Sequence, residues 1–454
     1  MSKNTPDSAT LRGLINRAGA GSRAVATAQR RVALADFAAA SPFGEARARL
    51  AGLSVILHVR DMALAAAALI DLDGLARRIV LAPPGWGAAE LESAALSAKA
   101  DAIAHDRLMS PVKVALEAIP ALPMRAVTLA HERALETEWV LPTSGTTGPP
   151  KLVVHTLATL TGAIHEAPRQ LWATFYDIRR YGGLQIFLRA LSGSGSLWVN
   201  GAEETLEAFL ARLGEAGVTH ISGTPSHWRK ALMSGEAGRI DPEYVRLSGE
   251  IADDGILAAL AEQYPRARIE HAYASTEAGV GFTVGDGKAG FPAALVEAGG
   301  AVKLRVVDGA LQLKSERAAL RFLGDNAAPL CDADGFVDTG DIVERSGDRY
   351  LFVGRRGGVI NVGGAKVHPE EVEAVINAHP AVQASRVFGR KNAITGALVV
   401  ADVVLNAGAG SQVALEREIM EVCRSRLPAH KTPARLRFVP ELPLTEAGKL
   451  ARNG

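Results

Sequence analysis

The sequence predicts an α/β protein of two domains, and three features along its 454 residues support this. Short apolar runs such as residues 53–57 alternate with alanine-rich stretches of helical length, which is typical of a mostly parallel sheet flanked by helices. Beyond residue 300 apolar and polar residues alternate one by one, which indicates a small antiparallel unit. A glycine-rich run at residues 354–364 precedes a last α+β region, so we expect domains at 1–354 and 355–454.

The composition narrows the class of protein. Fifty basic residues balance 49 acidic ones, so no overall field favours nucleic acid or an anionic membrane. The N-terminus lacks the apolar core of a signal peptide, and the most apolar stretch, residues 62–69, is too short to span a bilayer. The two cysteines, Cys331 and Cys423, indicate neither a disulfide framework nor a metal cluster. We expect a soluble cytoplasmic monomer or homodimer without nucleic-acid or membrane partners.

The first elements follow from the hydrophobic pattern. Residues 1–50 mix arginine with short apolar segments and are expected to be loosely ordered. Strands are expected at residues 53–57 and 78–82, and helices at 61–70 and 90–98. Helix and strand patterns alternate again over residues 152–216.

Three further strand-like stretches run into polar junctions, at residues 221–226, 246–250 and 268–277. The last of them ends in hydroxyls and a carboxylate. Because the carboxyl ends of parallel strands meet at one edge of a sheet, these junctions predict a binding site at that edge.

The most informative stretch is residues 143–151, Thr-Ser-Gly-Thr-Thr-Gly-Pro-Pro-Lys, which follows an apolar pair. Glycine lets the backbone approach a phosphate, hydroxyl and amide groups donate to its oxygens, and lysine adds a positive charge. The lysine comes three residues after the last glycine, unlike the Walker A pattern. A polar surface loop is the alternative interpretation.

Taken together, these segments resemble the adenylate-forming superfamily of acyl-CoA synthetases, stand-alone adenylation domains and luciferases, with five motifs in family order. The resemblance implies a large N-terminal domain of stacked sheets with helices and a barrel-like antiparallel unit, followed by a small mobile α+β domain. It also implies two reaction steps. A carboxylate attacks the α-phosphorus of MgATP to give an acyl-adenylate and pyrophosphate, and a thiol then takes the acyl group after the small domain rotates.

The resemblance assigns the phosphate loop and the adenine motif residue by residue. Tyr273 is expected to stack on adenine and Thr276 to contact the α-phosphate. Glu277 is expected to hold Mg²⁺, since a hard cation favours carboxylate ligands. The residues expected to cover the outer phosphates are Thr143, Ser144, Gly145, Thr146, Thr147, Gly148 and Lys151.

The remaining motifs complete the expected site. By resemblance Asp341 binds the ribose, Arg355 contacts ribose and phosphate, and Lys449 is the adenylation lysine. Gly223 is placed on the acid side of the site. The residues placed on the nucleotide side at the strand ends are Gly249, Glu250 and Ala272.

The sequence departs from the family pattern at three places. Gly357 stands at the hinge, where an aspartate is usual, and Ala274 replaces a glycine, which should narrow the acid pocket. The fourth motif is divergent: Asp177 is a candidate to bind a substrate ammonium, whereas Arg179 or Arg180 is a candidate to bind a second carboxylate. Surface charge is an equally weighted alternative for all three.

The leading interpretation is an acid–CoA ligase that uses ATP, Mg²⁺ and CoA, because residues 361–373 look like the small-domain segment of CoA ligases. The alternative acceptor is the phosphopantetheine thiol of a separate carrier protein. A nucleotide-binding regulator without chemistry is a third hypothesis, which the presence of Lys449 and Glu277 disfavours.

Overall fold

The structure is a computed structural model that describes residues 10–107, 112–127, 134–143, 151–162, 164, 170–193, 195–324, 327–392, 396–406, 408–445 and 450–451. Its helices are α1 (Leu11–Ala18), α2 (Met62–Leu72), α3 (Ala88–Ala98), α4 (Leu157–Thr161), α5 (Tyr181–Ser192), α6 (Leu206–Glu215), α7 (Pro225–Met233), α8 (Asp254–Gln263), α9 (Ala294–Glu297), α10 (Pro369–Asn377) and α11 (Gln412–Arg426). Its strands are β1 (Ala24–Ala26), β2 (Arg31–Ala33), β3 (Ala40–Ser41), β4 (Ser54–His58), β5 (Arg78–Leu81), β6 (Ala102–His105), β7 (Glu117–Pro120), β8 (Arg125–Ala126), β9 (Glu138–Pro142), β10 (Leu152–His155), β11 (Trp172–Thr174), β12 (Leu197–Val199), β13 (His220–Gly223), β14 (Tyr244–Ser248), β15 (Arg268–Ser275), β16 (Gly279–Val284), β17 (Phe291–Pro292), β18 (Val302–Val307), β19 (Ala310–Ser315), β20 (Arg321–Phe322), β21 (Val337–Ser346), β22 (Arg349–Arg355), β23 (Ile360–Val362), β24 (Ala365–Val367), β25 (Val382–Asn392), β26 (Gly396–Leu405) and β27 (Arg435–Phe438).

Two large sheets form the first part of the chain. The eight-stranded sheet has the order β16-β15-β14-β13-β11-β12-β1-β2, with six parallel strands between antiparallel edges. The seven-stranded sheet has the order β20-β10-β9-β5-β4-β6-β7. Helices α2 and α5 lie in the core that both sheets share, and α2 is buried on all sides from Ala63 to Leu72. This explains why α2 is apolar at every position except Asp71 rather than amphipathic.

Strands β17, β22, β21, β19 and β18 form the expected antiparallel unit. The glycine-rich run includes a short 3₁₀ turn at Arg356–Gly358, and it leads into a three-stranded sheet, β25-β26-β27, covered by α10 and α11. This last region has its own core, which includes Val387, Ile419 and Cys423. The predicted α/β fold class is confirmed.

The N-terminal segment differs from its prediction, because described residues 10–50 are folded onto the core rather than loosely ordered. Strand β1 joins the large sheet beside β12, and α1 packs against α5. Two arginines of this segment, Arg12 and Arg47, both pair with Asp71, whose side chain is fully buried. Throughout the described part of the chain, every helix is too short or too polar to cross a bilayer.

Candidate active site

The predicted junctions meet at the carboxyl edge of the eight-stranded sheet. Strands β13, β14 and β15 are parallel neighbours. Gly223 ends β13, Gly249 and Glu250 follow β14, and Thr276 and Glu277 follow β15. The structure therefore brings together groups that lie more than 50 residues apart in the chain.

Two glycines at this edge have a structural reason. A Cβ atom at Gly223 would lie 2.6 Å from Cδ2 of Phe175, closer than packed side chains approach. Gly249 has a φ of +84°, in the left-handed region that favours glycine. Gly223 thus lets Phe175 pack closely against the end of β13, and Gly249 lets the chain turn after β14.

Tyr273, Asp341 and Arg355 form one hydrogen-bonded group. The Tyr273 hydroxyl donates to Oδ2 of Asp341, and Nε of Arg355 donates to Oδ1 at 2.8 Å. Burial, reinforced by the Asp341 charge, raises the pKa of Tyr273 well above its ordinary value, so the phenol stays protonated and remains a donor. The Tyr273 ring stacks with Phe282 and Phe352 at centroid distances of 5.4 and 5.1 Å. The residues expected at adenine and ribose are thus adjacent.

Glu250 ties the C-terminal segment to this edge. Its carboxylate accepts hydrogen bonds from the backbone N–H and hydroxyl of Ser226, at 2.9 and 3.0 Å, and from the N–H of Leu450 at 3.0 Å. Lys449 itself lies outside the described residues, but its neighbour Leu450 contacts the large domain here. The carbonyl oxygen of Ala451 accepts a hydrogen bond from Arg386 of the small domain at 3.0 Å.

The phosphate loop is described only at its two ends. The N–H of Thr143 donates to the carbonyl of Lys151 at 2.8 Å, where β9 and β10 pair in antiparallel register. Thr143 is buried, and the Lys151 ammonium lies 5.6 Å from the centroid of the Phe322 ring. The predicted residues between them, Ser144, Gly145, Thr146, Thr147 and Gly148, lie outside the described residues.

His155 was missed by the sequence analysis as a residue of this site. Its Nε2 lies 2.7 Å from the carbonyl oxygen of Thr276, and a carbonyl only accepts, so Nε2 carries a proton. Burial lowers the pKa of His155 to about 4, which keeps the ring neutral at neutral pH. His155 therefore holds the turn that presents Thr276 and Glu277. A histidine at the end of β10 gives no sequence signal for this contact across 121 residues.

Two candidate residues of the fourth motif, Asp177 and Arg179, are paired with each other. The Asp177 carboxylate accepts hydrogen bonds from Nε and Nη2 of Arg179 at 2.6 and 2.9 Å, and the Arg179 side chain is 3% exposed. Arg179 also donates to the carbonyls of Val59 and Arg60. Because Asp177 and Arg179 are paired with each other, a ligand would have to break this ion pair to reach either charge. Arg180 precedes α5 and is half-buried.

Phe175 and Tyr176 of the fourth motif form an aromatic cluster with His227. Phe175 stacks on His227 at a centroid distance of 5.6 Å, and Tyr176 meets the same ring edge-on at 5.8 Å. The Tyr176 hydroxyl donates to the carbonyl of Ser248 at 2.6 Å. Burial lowers the pKa of His227 to about 4, so the cluster of Phe175, Tyr176 and His227 carries no charge at neutral pH.

Comparison with known proteins agrees with this geometry. The AMP-binding enzyme family matches residues 50–313, more than half of the chain, and the AMP-binding enzyme C-terminal domain matches residues 371–449. A 2-succinylbenzoate–CoA ligase from Geobacillus kaustophilus is 30% identical over 373 residues, covering 74% of this chain and 72% of that protein.

Two solved structures share the fold at 19% sequence identity. The anthranilate CoA ligase AuaEII in complex with anthranoyl-AMP has a TM-score of 0.79, covering 97% of this chain and 95% of that chain. ATP-bound MatB from Rhodopseudomonas palustris has a TM-score of 0.77, with 97% of each chain covered.

The chain belongs to the AMP-binding enzyme family, the adenylate-forming superfamily that its motifs resemble. Within that family it is an AMP-forming acid–thiol ligase, as predicted from the sequence.

Proposed function

We propose that this enzyme joins a small or medium carboxylic acid to CoA in two steps. A carboxylate oxygen of the acid attacks the α-phosphorus of ATP, and the bond from that phosphorus to the β-phosphate oxygen breaks, which releases pyrophosphate. The CoA thiolate then attacks the acyl carbonyl carbon, and AMP leaves. The observation that supports this best is the meeting of Thr276, Glu277, the Tyr273–Asp341–Arg355 group and the C-terminal segment at one edge of a sheet.

The nucleotide-binding roles follow from what each group can offer. Asp341 retains lone pairs for ribose hydroxyls while it accepts from Tyr273 and Arg355, since a carboxylate has about four acceptor sites. The aromatic stack around Tyr273 supplies an apolar surface for adenine. Gly249 and Ala272 lie on the same edge and are assigned to the nucleotide side, with Glu250 as the residue that holds the C-terminal segment there.

Glu277 fits a magnesium ligand. Among the described residues its carboxylate makes no hydrogen bond or ion pair in our structure, and its half-exposed position lies within electrostatic reach of Arg355. The described residues contain no cluster of three or more potential metal ligands. Magnesium commonly binds through one or two carboxylates together with phosphate oxygens, so a single glutamate is sufficient. When bound, the ion would neutralise charge on the phosphates.

The moving parts are assigned by the family motifs. The phosphate loop holds the outer phosphates, and Lys449 stabilises the charge that develops as pyrophosphate leaves. We place the boundary between the domains at residues 354 and 355, with rotation next to Gly357. That glycine is in the exposed 3₁₀ turn, and a Cβ atom there would meet nothing within 4 Å, so the turn also has room for the usual aspartate.

We propose CoA as the acceptor and the cytoplasm as the location. Neither cysteine forms a disulfide, with Cys331 exposed and Cys423 buried, which suits a reducing compartment. A carrier-protein thiol is the competing acceptor.

The first experiment is ATP–pyrophosphate exchange without a thiol, over a panel of aryl, short acyl, dicarboxylic and amino acids. We expect exchange with at least one class of acid, and thioester formation when CoA is then added. Exchange followed by transfer only to a carrier protein would change the acceptor. Failure of every acid to support exchange would contradict adenylation and favour a nucleotide-binding regulator.

A further inference from the structure

A buried cationic group lies on the inner face of the eight-stranded sheet, below the carboxyl edge. Arg246, the third residue of β14, is 8% exposed. Its neighbours along the strand, Val245 and Leu247, belong to the core on the opposite face, whereas Tyr244 packs into the core shared with α5. Arg246 therefore lies on the face toward α5, between the two sheets. Arg317 approaches the same region and donates to the carbonyl of Val280 at 3.5 Å.

Neither arginine is paired with a carboxylate among the described residues. Arg246 donates to the hydroxyls of Tyr244 and Thr283, at 3.2 and 3.5 Å, and both partners are neutral. Glu270 stands next to Arg246 in register, but its carboxylate accepts from Tyr244 and Arg268 instead. A buried charge with only neutral partners is costly unless a ligand supplies the opposite charge. Two other buried arginines, Arg179 and Arg386, are paired with carboxylates. Buried Arg23 donates to four backbone carbonyls, whereas Arg246 has two hydroxyl partners.

Two buried polar atoms on Ser222 and α5 have no hydrogen-bond partner among the described residues. Ser222 is aligned with Arg246 on the neighbouring strand, so both side chains are on the same face, and Ser222 is 1% exposed. Within the described part of the chain its hydroxyl has no hydrogen-bond partner. The Oε1 atom of Gln185, on the face of α5 that carries Tyr181 and Arg189 at helical spacing, is likewise buried without one.

Arg189 adds a third positive charge to this group. Burial, followed by the charges of Arg246 and Arg317, lowers the pKa of Arg189 to about 10. Arg189, Arg246 and Arg317 therefore lie within electrostatic reach of one another, and the positive charges of Arg246 and Arg317 disfavour that of Arg189. Such an arrangement is suited to an anionic ligand that bridges them.

The position of Arg246 connects this cluster to the reaction. Arg246 is three residues before Gly249, on the order of 10 Å along an extended strand. On the adjacent strand, Ala272 and Ala274 present only methyl groups to the same face. The Arg246 charge also reaches Tyr176 at the fourth motif.

We propose that the acid substrate carries a second carboxylate, which binds Arg246 with Arg189, Arg317 and the Ser222 hydroxyl around it. The proposal rests on the proposed function, and it names the substrate class of the same site. The spacing suits two carboxylates separated by an aromatic ring or a chain of several carbons. The proposal also assigns binding of the second carboxylate to Arg246 of β14 rather than to Arg179.

The test compares each diacid with its matched monoacid in ATP–pyrophosphate exchange. The probes are straight-chain dioic acids of four to eight carbons with the corresponding monoacids, and the three benzenedicarboxylates with benzoate. For the best pair, the wild-type enzyme should favour the diacid in kcat/KM by on the order of 10- to 100-fold, the value of a hydrogen bond to a charged group. Arg246→Met should reduce that ratio at least tenfold, and Arg246→Lys should restore part of it.

The control is Arg266→Met, which removes an exposed arginine that pairs with Asp241 and should leave the ratio unchanged. Exchange with monoacids at least as fast as with diacids would overturn this proposal and leave adenylation standing. An equal loss for both acids of a pair in Arg246→Met would also overturn it. Should that variant not fold, the wild-type ratio and Arg246→Lys decide. No exchange with any acid would contradict both proposals.

Discussion

Charged side chains have different partners at the carboxyl edge of the eight-stranded sheet and in the interior between the two large sheets. At the edge, Asp341 accepts from Tyr273 and Arg355, so the carboxylate is positioned by the protein itself. In the interior, Arg246 is buried with two hydroxyl partners and, among the residues that the structure describes, no carboxylate partner. The groups proposed to bind the nucleotide are therefore already held by other protein groups. Arg246, in contrast, would gain a carboxylate partner only from the proposed acid substrate.

The largest effect is expected from removing the adenylation lysine. Lys449→Ala should reduce acyl-adenylate formation by on the order of 100-fold or more, because it removes the charge that stabilises the departing pyrophosphate. Transfer from a supplied acyl-adenylate to CoA should be largely spared. Single-turnover assays of the two steps measure this, and an equal loss in both would contradict the role of Lys449 in the first.

Two buried aspartates outside the site, Asp71 and Asp73, differ in the same way, because one has charged partners and the other has neutral ones. Asp71 pairs with arginines, but within the described part of the chain Asp73 accepts only from the Leu11 N–H and the Trp139 indole. Burial raises the pKa of Asp73 to about 6. The folded state then holds this proton more tightly than the unfolded state. Stability from this group should therefore be greatest below about pH 4 and fall as pH rises to about 6, by up to about 3 kcal/mol.

Asp73→Asn should remove this contribution to the pH dependence, whatever it does to stability at a single pH. Urea unfolding of the wild type and the variant between pH 4 and 7 would measure it. The same decline with pH in both proteins would show that Asp73 is not its source.

A smaller effect is expected from the ribose side. Asp341→Asn keeps the shape of the side chain but removes its charge, and one amide N–H₂ would face the donor of Tyr273 or Arg355. We expect kcat/KM for ATP to fall on the order of tenfold, with little change in the preference among acids. A change in acid preference as large as that of Arg246→Met would remove the distinction between the two regions.

The smallest effect is expected where the small domain holds its C-terminal segment. Arg386 donates to the Ala451 carbonyl and to Asp402. Arg386→Met should slow adenylate formation a few-fold, the effect of one lost hydrogen bond, and spare the CoA step. Arg437→Met is the matched control, because Arg437 pairs with the same Asp402 and has no hydrogen bond to Ala451 among the described residues. Similar slowing in both variants would indicate a general loss of small-domain stability.

The sequence predicted the edge far better than the interior. Motif residues such as Tyr273 and Asp341 follow strands with clear patterns, and the structure brings them together. The roles of Arg179 and Arg246 could not be predicted, because an arginine in a sequence gives no sign of whether a carboxylate, a carbonyl or nothing charged will face it. The folded N-terminal segment was missed for the same reason, since its arginines are paired with a distant aspartate.

The most direct test of the central claim uses the best acid from the exchange panel, labelled with ¹⁸O in the reacting carboxyl group, together with ATP and CoA. If the carboxylate attacks the α-phosphorus and the thiol then attacks the carbonyl carbon, one labelled oxygen must leave with AMP. We predict ¹⁸O in AMP and none in pyrophosphate, by mass spectrometry of the products. Label in inorganic phosphate with formation of ADP would contradict adenylation and show an acyl phosphate instead.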